Sequence, residues 1–285
     1  MNYRHIFHAG NFADVFKHAI VARILVYLMR KDAALRYLDT HAGIGRYDLG
    51  SEQAQKTGEW RDGVGRIARA QMPADIAALL KPWLEAVGPL DDEGRPAIYP
   101  GSPMLAQRLL RAQDRMTLCD LHDQDVRVLG RNMGKDARIK VIRIDGYTAL
   151  KAYVPPVERR GLVLVDPPFE STDEFTRLRD SVIAAWRKWP TGTYALWYPV
   201  KGATAADGLH EGLAAAGISR VLRAEIDVGL EDATGKLSAC GLALINPPYS
   251  LFDEIRTLAP WLAQTLAQGA SPRWTCAWTA GEVRA

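Results

Sequence analysis

Residues 159–171 read RRGLVLVDPPFES. Four apolar residues climb into an acid, two prolines and an aromatic, and there the run stops. Residues 241–250, GLALINPPYS, make nearly the same stop. A short apolar run bounded by turn residues reads as a strand buried on both faces. Two prolines fix φ and remove two backbone donors, so each stop is a stiff extended turn. Pro-Pro also occurs at 155–156, so the dipeptide alone carries no chemistry. Which stop faces a ligand depends on the direction of its strand.

That direction follows from the neighbouring elements. Strands are predicted over 35–39, 116–120, 139–144, 161–165, 193–198, 220–228 and 239–245. Helices fit over 102–113, 122–133, 172–188 and 204–216. Asn11 can cap an earlier, amphipathic helix in which Phe12, Val15, Phe16, Ala19, Ile20, Ile24, Tyr27 and Leu28 keep helical spacing. Strands alternating with helices give an α/β fold, a mostly parallel sheet covered on both faces. Only GLEDATGKL separates the last two strands, a hairpin-sized connection, so the seventh strand runs antiparallel. The interval between the first two strands is too long for one crossover. Residues 50–98 are therefore expected to form an inserted helical subdomain, with 1–49 and 99–285 making the main domain. Past Gly269 the pattern fades.

Composition narrows the function classes. The chain has 285 residues, 48% apolar and 24% charged, and a net charge of +3. It is ordinary for a globular protein and too weakly basic to prove a nucleic-acid partner. No apolar run is long enough for a membrane span, and MNYRHIFHAGN lacks the pattern of a secretory signal. Cys119, Cys240 and Cys276 show no pairing or metal spacing, so a reducing, cytoplasmic location is expected. His5, His8, His18 and His41 lack the companions of a metal site, and no metal is expected. Arginines cluster at 61, 66 and 69, at 108, 111 and 115, and at 159 and 160. They read either as solvated helix faces or as phosphate contacts.

In an open α/β sheet, ligands bind beyond the carboxyl ends of the strands. The first strand runs into LDTHAGIGR, where Gly43 and Gly45 allow a tight turn close to a ligand. No G-x-G-x-x-G cradle follows, which weakens NAD and ATP readings. The next strands end in Asp120, placed for ribose hydroxyls, in Asp145, placed for an adenine amine, and in Asp166. In DPPF, rigidity holds the Asp166 carboxylate and the Pro167 carbonyl toward one point. Two converging acceptors match the two hydrogens of an exocyclic amine, and Phe169 can stack on its ring. The Asn246–Tyr249 stop ends an antiparallel strand and should lie at the opposite edge, a rigid exit into the helix LFDEIRTLAPWLAQTL.

DPPF is similar to motif IV of the amino-methyltransferases. More broadly, YRHIFHAGNFADVFKH, YLDTHAGIGRYDLGS, YPGSP, RRGLVLVDPPFE, GTYALWYPV and GLALINPPY, in that order, resemble the RlmJ family of bacterial 23S rRNA adenine-N6 methyltransferases. The resemblance implies a Rossmann-like class I methyltransferase fold, a seven-stranded sheet with an antiparallel last strand and a small helical insert. It implies S-adenosylmethionine as cofactor, surrounded by His18, His41, Gly43, Ser102, Asp120, Asp145, Gly146 and Asp166. His18, beside Lys17, would meet the methionine carboxylate. Asp166, Pro167 and Phe169 would act at the target amine, and Tyr3 would meet the RNA. Asp120 stands where a longer glutamate is common in the family, and Phe169 where tyrosine is common. The expected partner is 23S rRNA, with no membrane and a monomeric chain. A DNA adenine-N6 methyltransferase, a protein glutamine methyltransferase and a non-catalytic nucleic-acid-binding scaffold remain the alternatives.

Overall fold

The computed structural model describes residues 4–202, 204–230 and 236–280. A 3-10 turn at His5–Phe7 precedes α1 (Phe12–Met29), followed by β1 (Arg36–Asp39) and β2 (Arg46–Tyr47). Then come α2 (Glu52–Thr57), a 3-10 turn at Glu59–Asp62, α3 (Val64–Arg69), α4 (Ala74–Val87), β3 (Tyr99–Pro100) and α5 (Ser102–Leu109). The chain continues through β4 (Arg115–Asp120), α6 (Asp123–Met133), β5 (Ile139–Arg143), α7 (Gly146–Tyr153), β6 (Gly161–Val165) and α8 (Glu174–Lys188). It closes with β7 (Thr193–Pro199), α9 (Thr204–Ala215), β8 (Val221–Asp227), β9 (Ala239–Ile245), α10 (Leu251–Thr265) and β10 (Arg273–Ala280).

The main sheet is ordered β10-β8-β9-β7-β6-β1-β4-β5. β5, β4, β1, β6 and β7 are mutually parallel, and β9 runs antiparallel to both β7 and β8. This is the expected Rossmann-like α/β architecture with an antiparallel penultimate strand, and it corrects the strand count. The sheet has eight strands, because β10 adds an antiparallel edge from Arg273↔Asp227 to Ala280↔Val221. The signal was present: Trp274, Cys276 and Trp278 alternate with Thr275, Ala277 and Thr279, the period of a half-buried strand. Helix α7 was also not foreseen; Asp145 caps it, its side chain accepting the Thr148 N–H at 2.9 Å.

α1 is not amphipathic. Phe12 to Ala22, Ile24 and Leu25 are all buried, the profile of a helix covered on every side. It packs against β6 and β9 on one side and against α4, α5 and α10 on the others. Asn11 does cap it, accepting the Asp14 N–H at 3.0 Å. The helices from Glu52 to Val87 build no core of their own. Trp60, Val64, Ile67, Leu80 and Trp83 are at most 1% exposed and join the same apolar cluster as α1. A fully buried side chain of this size contributes about 1.5–3 kcal/mol, so the segment is anchored by burial. α7, α8 and α9 cover the other face of the sheet over a second cluster. Among the described residues no helix is long and apolar enough to cross a membrane.

Candidate active site

A cleft of about 600 Å³ opens at the carboxyl edge of the parallel strands. Strand direction sorts the two proline stops. β6 is parallel, so Asp166 emerges into the cleft. β9 is antiparallel, and its last residue Ile245 pairs with Tyr194 near the start of β7, so Asn246 lies at the opposite edge. There its Nδ2 donates to the carbonyls of Pro190 at 2.7 Å and Gly192 at 2.9 Å. Those bonds stitch a loop, and Asn246 sits at φ 49°, which asparagine tolerates better than most residues.

At the floor of the cleft α1 delivers two buried charges, Asp14 and Lys17. Lys17 Nζ donates to Asp166 Oδ2 at 2.6 Å and lies 2.9 Å from Asp14 Oδ1. Asp14 Oδ2 also takes His5 Nε2 at 2.9 Å and the Gly10 N–H at 3.0 Å, which ties the N-terminal turn to the helix. Burial works against the charges of Asp14 and Lys17. For Asp14 it is overcome by His5 and Lys17, whose charges hold the carboxyl well below its usual range. For Lys17 it is overcome by Asp14 and Asp166, which hold the ammonium well above its usual range. Sequence reasoning passed over Asp14 and Lys17. Their signal is an acid and a lysine three residues apart on an apolar helix, where charge survives only if paired.

Of the residues expected at a cofactor, His18, His41, Gly43, Ser102, Asp120 and Asp166 line the cleft. Asp145 and Gly146 do not. Asp145 is spent on the α7 cap and on Arg177, whose guanidinium lies 2.8 Å away. Gly146 instead leaves room for His41, since a Cβ there would stand 2.6 Å from the His41 Nε2. His18 is 1% exposed, its Nδ1 lies 3.1 Å from the Tyr99 hydroxyl, and burial pushes its pKa down to about 3. It is therefore a neutral imidazole, able to offer one N–H but no charge to a carboxylate. Burial likewise lowers His41 to about 4. Asp120 accepts the N–H of Gly43 at 3.0 Å and of His122 at 2.8 Å, so it braces the glycine turn while facing the cleft. Ser102 donates to Asp39 Oδ2 at 2.7 Å, and Tyr37 donates to the same oxygen at 2.9 Å. Burial still lifts Asp39 to about 6.

This donor set suits a nucleoside-bearing amino acid. A carboxylate stands beside a glycine turn, and Leu121, 52% exposed, offers an apolar face in the same cleft. Gly43 at φ 57° permits the turn, and a Cβ there would meet the Tyr47 hydroxyl at 2.6 Å. On the other side of Asp166, Pro167 is buried and Phe169 takes φ 47°, a backbone region that favours glycine. Such strain costs on the order of 1 kcal/mol or more. Tyr3 lies outside the described residues.

Comparison with known proteins places the chain in a family. Residues 32–280 match the family described as ribosomal RNA large subunit methyltransferase D, RlmJ. The chain belongs to the RlmJ family. It is 39% identical to ribosomal RNA large subunit methyltransferase J of Escherichia coli over 99% of this chain and 100% of that protein. The same protein from Haemophilus influenzae is 38% identical over 99% and 100%. A solved structure, protein LPL1258 from Legionella pneumophila, superposes with a TM-score of 0.84 at 31% identity, covering 95% of this chain and 98% of that one.

In this RlmJ-family chain, the arginine clusters divide by location. Arg111 and Arg160 donate to the carbonyls of Met29, Lys31 and Ala33, and of Ala33 and Leu28. With Arg115 they bind the amino edge of the sheet, away from the cleft. Arg108 donates to the Ala86 carbonyl. Arg66 holds Asp62 and the Ala267 carbonyl, and Arg69 reaches the carbonyls of Glu93 and Arg61. These arginines secure the fold first. Arg61, exposed, lies over the Trp60 ring at 4.7 Å and donates to the Gln55 side-chain carbonyl.

Proposed function

We propose that this protein transfers a methyl group from S-adenosylmethionine to the N6 amine of an adenine in 23S rRNA. One observation carries the reading. The rigid Asp166-Pro167-Pro168-Phe169 stop opens into the same cleft as the Gly43 turn and Asp120, while its Asn246 counterpart is turned to the far edge. The names of its full-length relatives support the RNA class.

His18, Gly43, Ser102, Asp120 and Asp166, with Leu121 against the ring, would hold the cofactor, which supplies an electrophilic methyl when bound. The chain's own work is on the acceptor. Adenine N6 is a weak nucleophile because its lone pair is delocalised into the ring. Asp166 and the Pro167 carbonyl accept its two N–H bonds and favour a more tetrahedral nitrogen. Lys17, held by Asp14, fixes one Asp166 oxygen and leaves the other for the amine. After transfer the nitrogen is acidic and its proton leaves to Asp166 or to water. Phe169 stacks on the base. Alignment of this kind is worth on the order of 7–11 kcal/mol.

A stacked adenine does not reach the cleft floor, so the base must be flipped out or unpaired, which favours rRNA not yet folded into a finished subunit. The segment 50–98, an inserted subdomain in this reading, borders the cleft through Thr57, Glu59 and Asp62 and would face the RNA. The test is transfer of labelled methyl to deproteinised rRNA and to duplex DNA, with N6-methyladenine mapped in the product. Asp166→Ala should keep cofactor affinity within roughly tenfold while abolishing transfer. Retained turnover, or preference for duplex DNA, sinks the assignment.

A further inference from the structure

Phe169 is held from behind. Its ring lies 4.7 Å from Phe175 on α8 at 56°, and 5.9 Å from Trp197 on β7 at 67°. Phe175 in turn lies 6.3 Å from the Tyr198 ring at 55°. Aromatic pairs at these separations prefer such tilted and edge-on geometries. The row therefore runs from the cleft wall into the core, where Tyr198 is fully buried.

The inner end is fixed by polar bonds. The Tyr198 hydroxyl donates to Glu225 Oε1 at 2.9 Å and lies 2.9 Å from His210 Nε2. His210 is 3% exposed, and burial lowers its pKa to about 3, so it is neutral and carries one ring N–H. With the phenol proton directed at Glu225, that N–H sits on Nε2 and points to Tyr198. Nδ1 is then the acceptor, 3.0 Å from the Thr279 hydroxyl on β10. Arg223 completes the set, 2.8 Å from Glu225 and 2.6 Å from Asp207. Even the neighbouring strand makes room: a Cβ at Gly241 on β9 would stand 2.5 Å from the Tyr198 ring.

None of these inner groups reaches the cleft. Phe175, Tyr198, His210 and Glu225 are absent from its lining, whereas Phe169 and Trp197 are part of it. Phe169 also occupies a backbone conformation that its own side chain disfavours, at φ 47°. A ring on a strained turn after two prolines keeps one orientation only if something rigid backs it.

We propose that Phe175 and Tyr198 are positioning residues for the methyl acceptor, a buried aromatic row that sets the plane of Phe169. Glu225, His210 and Thr279 clamp the foot of that row. The edge strand β10 thereby takes part in presenting the base, although it lies three strands from β7 in the sheet. The proposal rests on the reading of Phe169 as the stacking surface for the target adenine, and the experiment separates the two.

Four variants are compared with the parent: Phe169→Ala, Phe175→Ala, Phe175→Tyr and Tyr198→Phe. Each is assayed for kcat and KM on deproteinised 23S rRNA and for S-adenosylmethionine affinity by calorimetry. Loss of stacking geometry should lower kcat/KM for Phe175→Ala by roughly 10–100-fold. Cofactor affinity should stay within about twofold, because Phe175 does not line the cleft. Phe175→Tyr, which keeps the ring, should recover to within about threefold. Tyr198→Phe keeps shape and fold and removes only the clamp; it should lower kcat/KM by about threefold or more. If Phe169→Ala is impaired while Phe175→Ala and Tyr198→Phe match the parent, the row positions nothing and the proposal falls. If Phe175→Ala is too unstable to assay, parental kcat/KM in Tyr198→Phe overturns it alone. If Phe169→Ala itself retains full activity, the acceptor reading fails instead.

Discussion

Lys17→Met is the most informative single perturbation of this molecule. Methionine nearly matches lysine in length and suits the apolar surroundings of α1, so little packing is lost. What disappears is the cation between two carboxylates, at 2.6 Å from Asp166 and 2.9 Å from Asp14. The three side chains are 5%, 17% and 2% exposed, so solvent does little to screen the remaining acids. Removing one partner of a buried pair costs about 3–5 kcal/mol, chiefly because a charge is left uncompensated. At roughly 2–4 °C per kcal/mol for a chain of this size, the melting temperature should fall by roughly 6–20 °C. Activity should be lost as well, since Asp166 no longer has one oxygen anchored. Adding Asp14→Asn removes a stranded charge and should return about half of the stability without returning methyl transfer. Urea titration and a labelled-methyl assay on the parent, the single and the double variant read both quantities. A Lys17→Met protein within about 1 kcal/mol of the parent and turning over at the parental rate would refute the reasoning.

Asn246→Ala should cost about 1–3 kcal/mol in a urea titration, from two lost hydrogen bonds and an unfavourable φ, yet leave kcat unchanged; a large fall in kcat would put the second proline stop back into the chemistry. Gly43→Ala, whose Cβ meets the Tyr47 hydroxyl at 2.6 Å with φ at 57°, should weaken cofactor binding by about tenfold or more in calorimetry, and unaltered affinity would mean that the turn does not face the ligand. Stability should also fall with acid. His18, His41 and His210 drop from 6.5 to about 3, 4 and 3 on burial, so their contribution is complete above 6.5 and lost as pH falls toward those values. Asp39, raised by burial to about 6, acts in the opposite sense within this range, and His8, raised by its bond to Glu59 against its burial, does so only above pH 6.5. The net slope should be roughly 1–3 kcal/mol per pH unit between pH 6.5 and 4.5, and a flat stability profile over that window would contradict the buried neutral histidines.

Much of the molecule was legible before any coordinates. Strand runs such as LVLV at 162–165, the acids that end them and the hairpin-length link after β8 are local signals. A strand's periodicity and a loop's length depend on adjacent residues alone. From them followed the parallel sheet, the antiparallel β9 and the assignment of Asp166 and Asn246 to opposite edges. The resemblance supplied proposed roles for residues that no periodicity could give. β10 was also legible, through its alternation, but an edge strand at the chain's end is easily taken for a tail.

Other features depended on which distant residues meet. Asp14 and Lys17 read as surface charges until α1 is seen to be enclosed, and their third partner lies 149 residues away. Asp145 ends its strand like the other acids, yet its oxygens bond the α7 cap and Arg177, and it does not line the cleft. Arg108, Arg111, Arg115 and Arg160 carry a phosphate-binding composition but satisfy backbone carbonyls. Short-range pattern and turn geometry were enough for the sheet, its direction and the chemical types brought to its edge. Which charges are buried, which are already paired and which rings stand behind Phe169 emerged only from the folded chain. Burial and pairing are properties of contacts between residues far apart in the chain, and in a buried site they set both the charge a side chain keeps and the direction it is free to point.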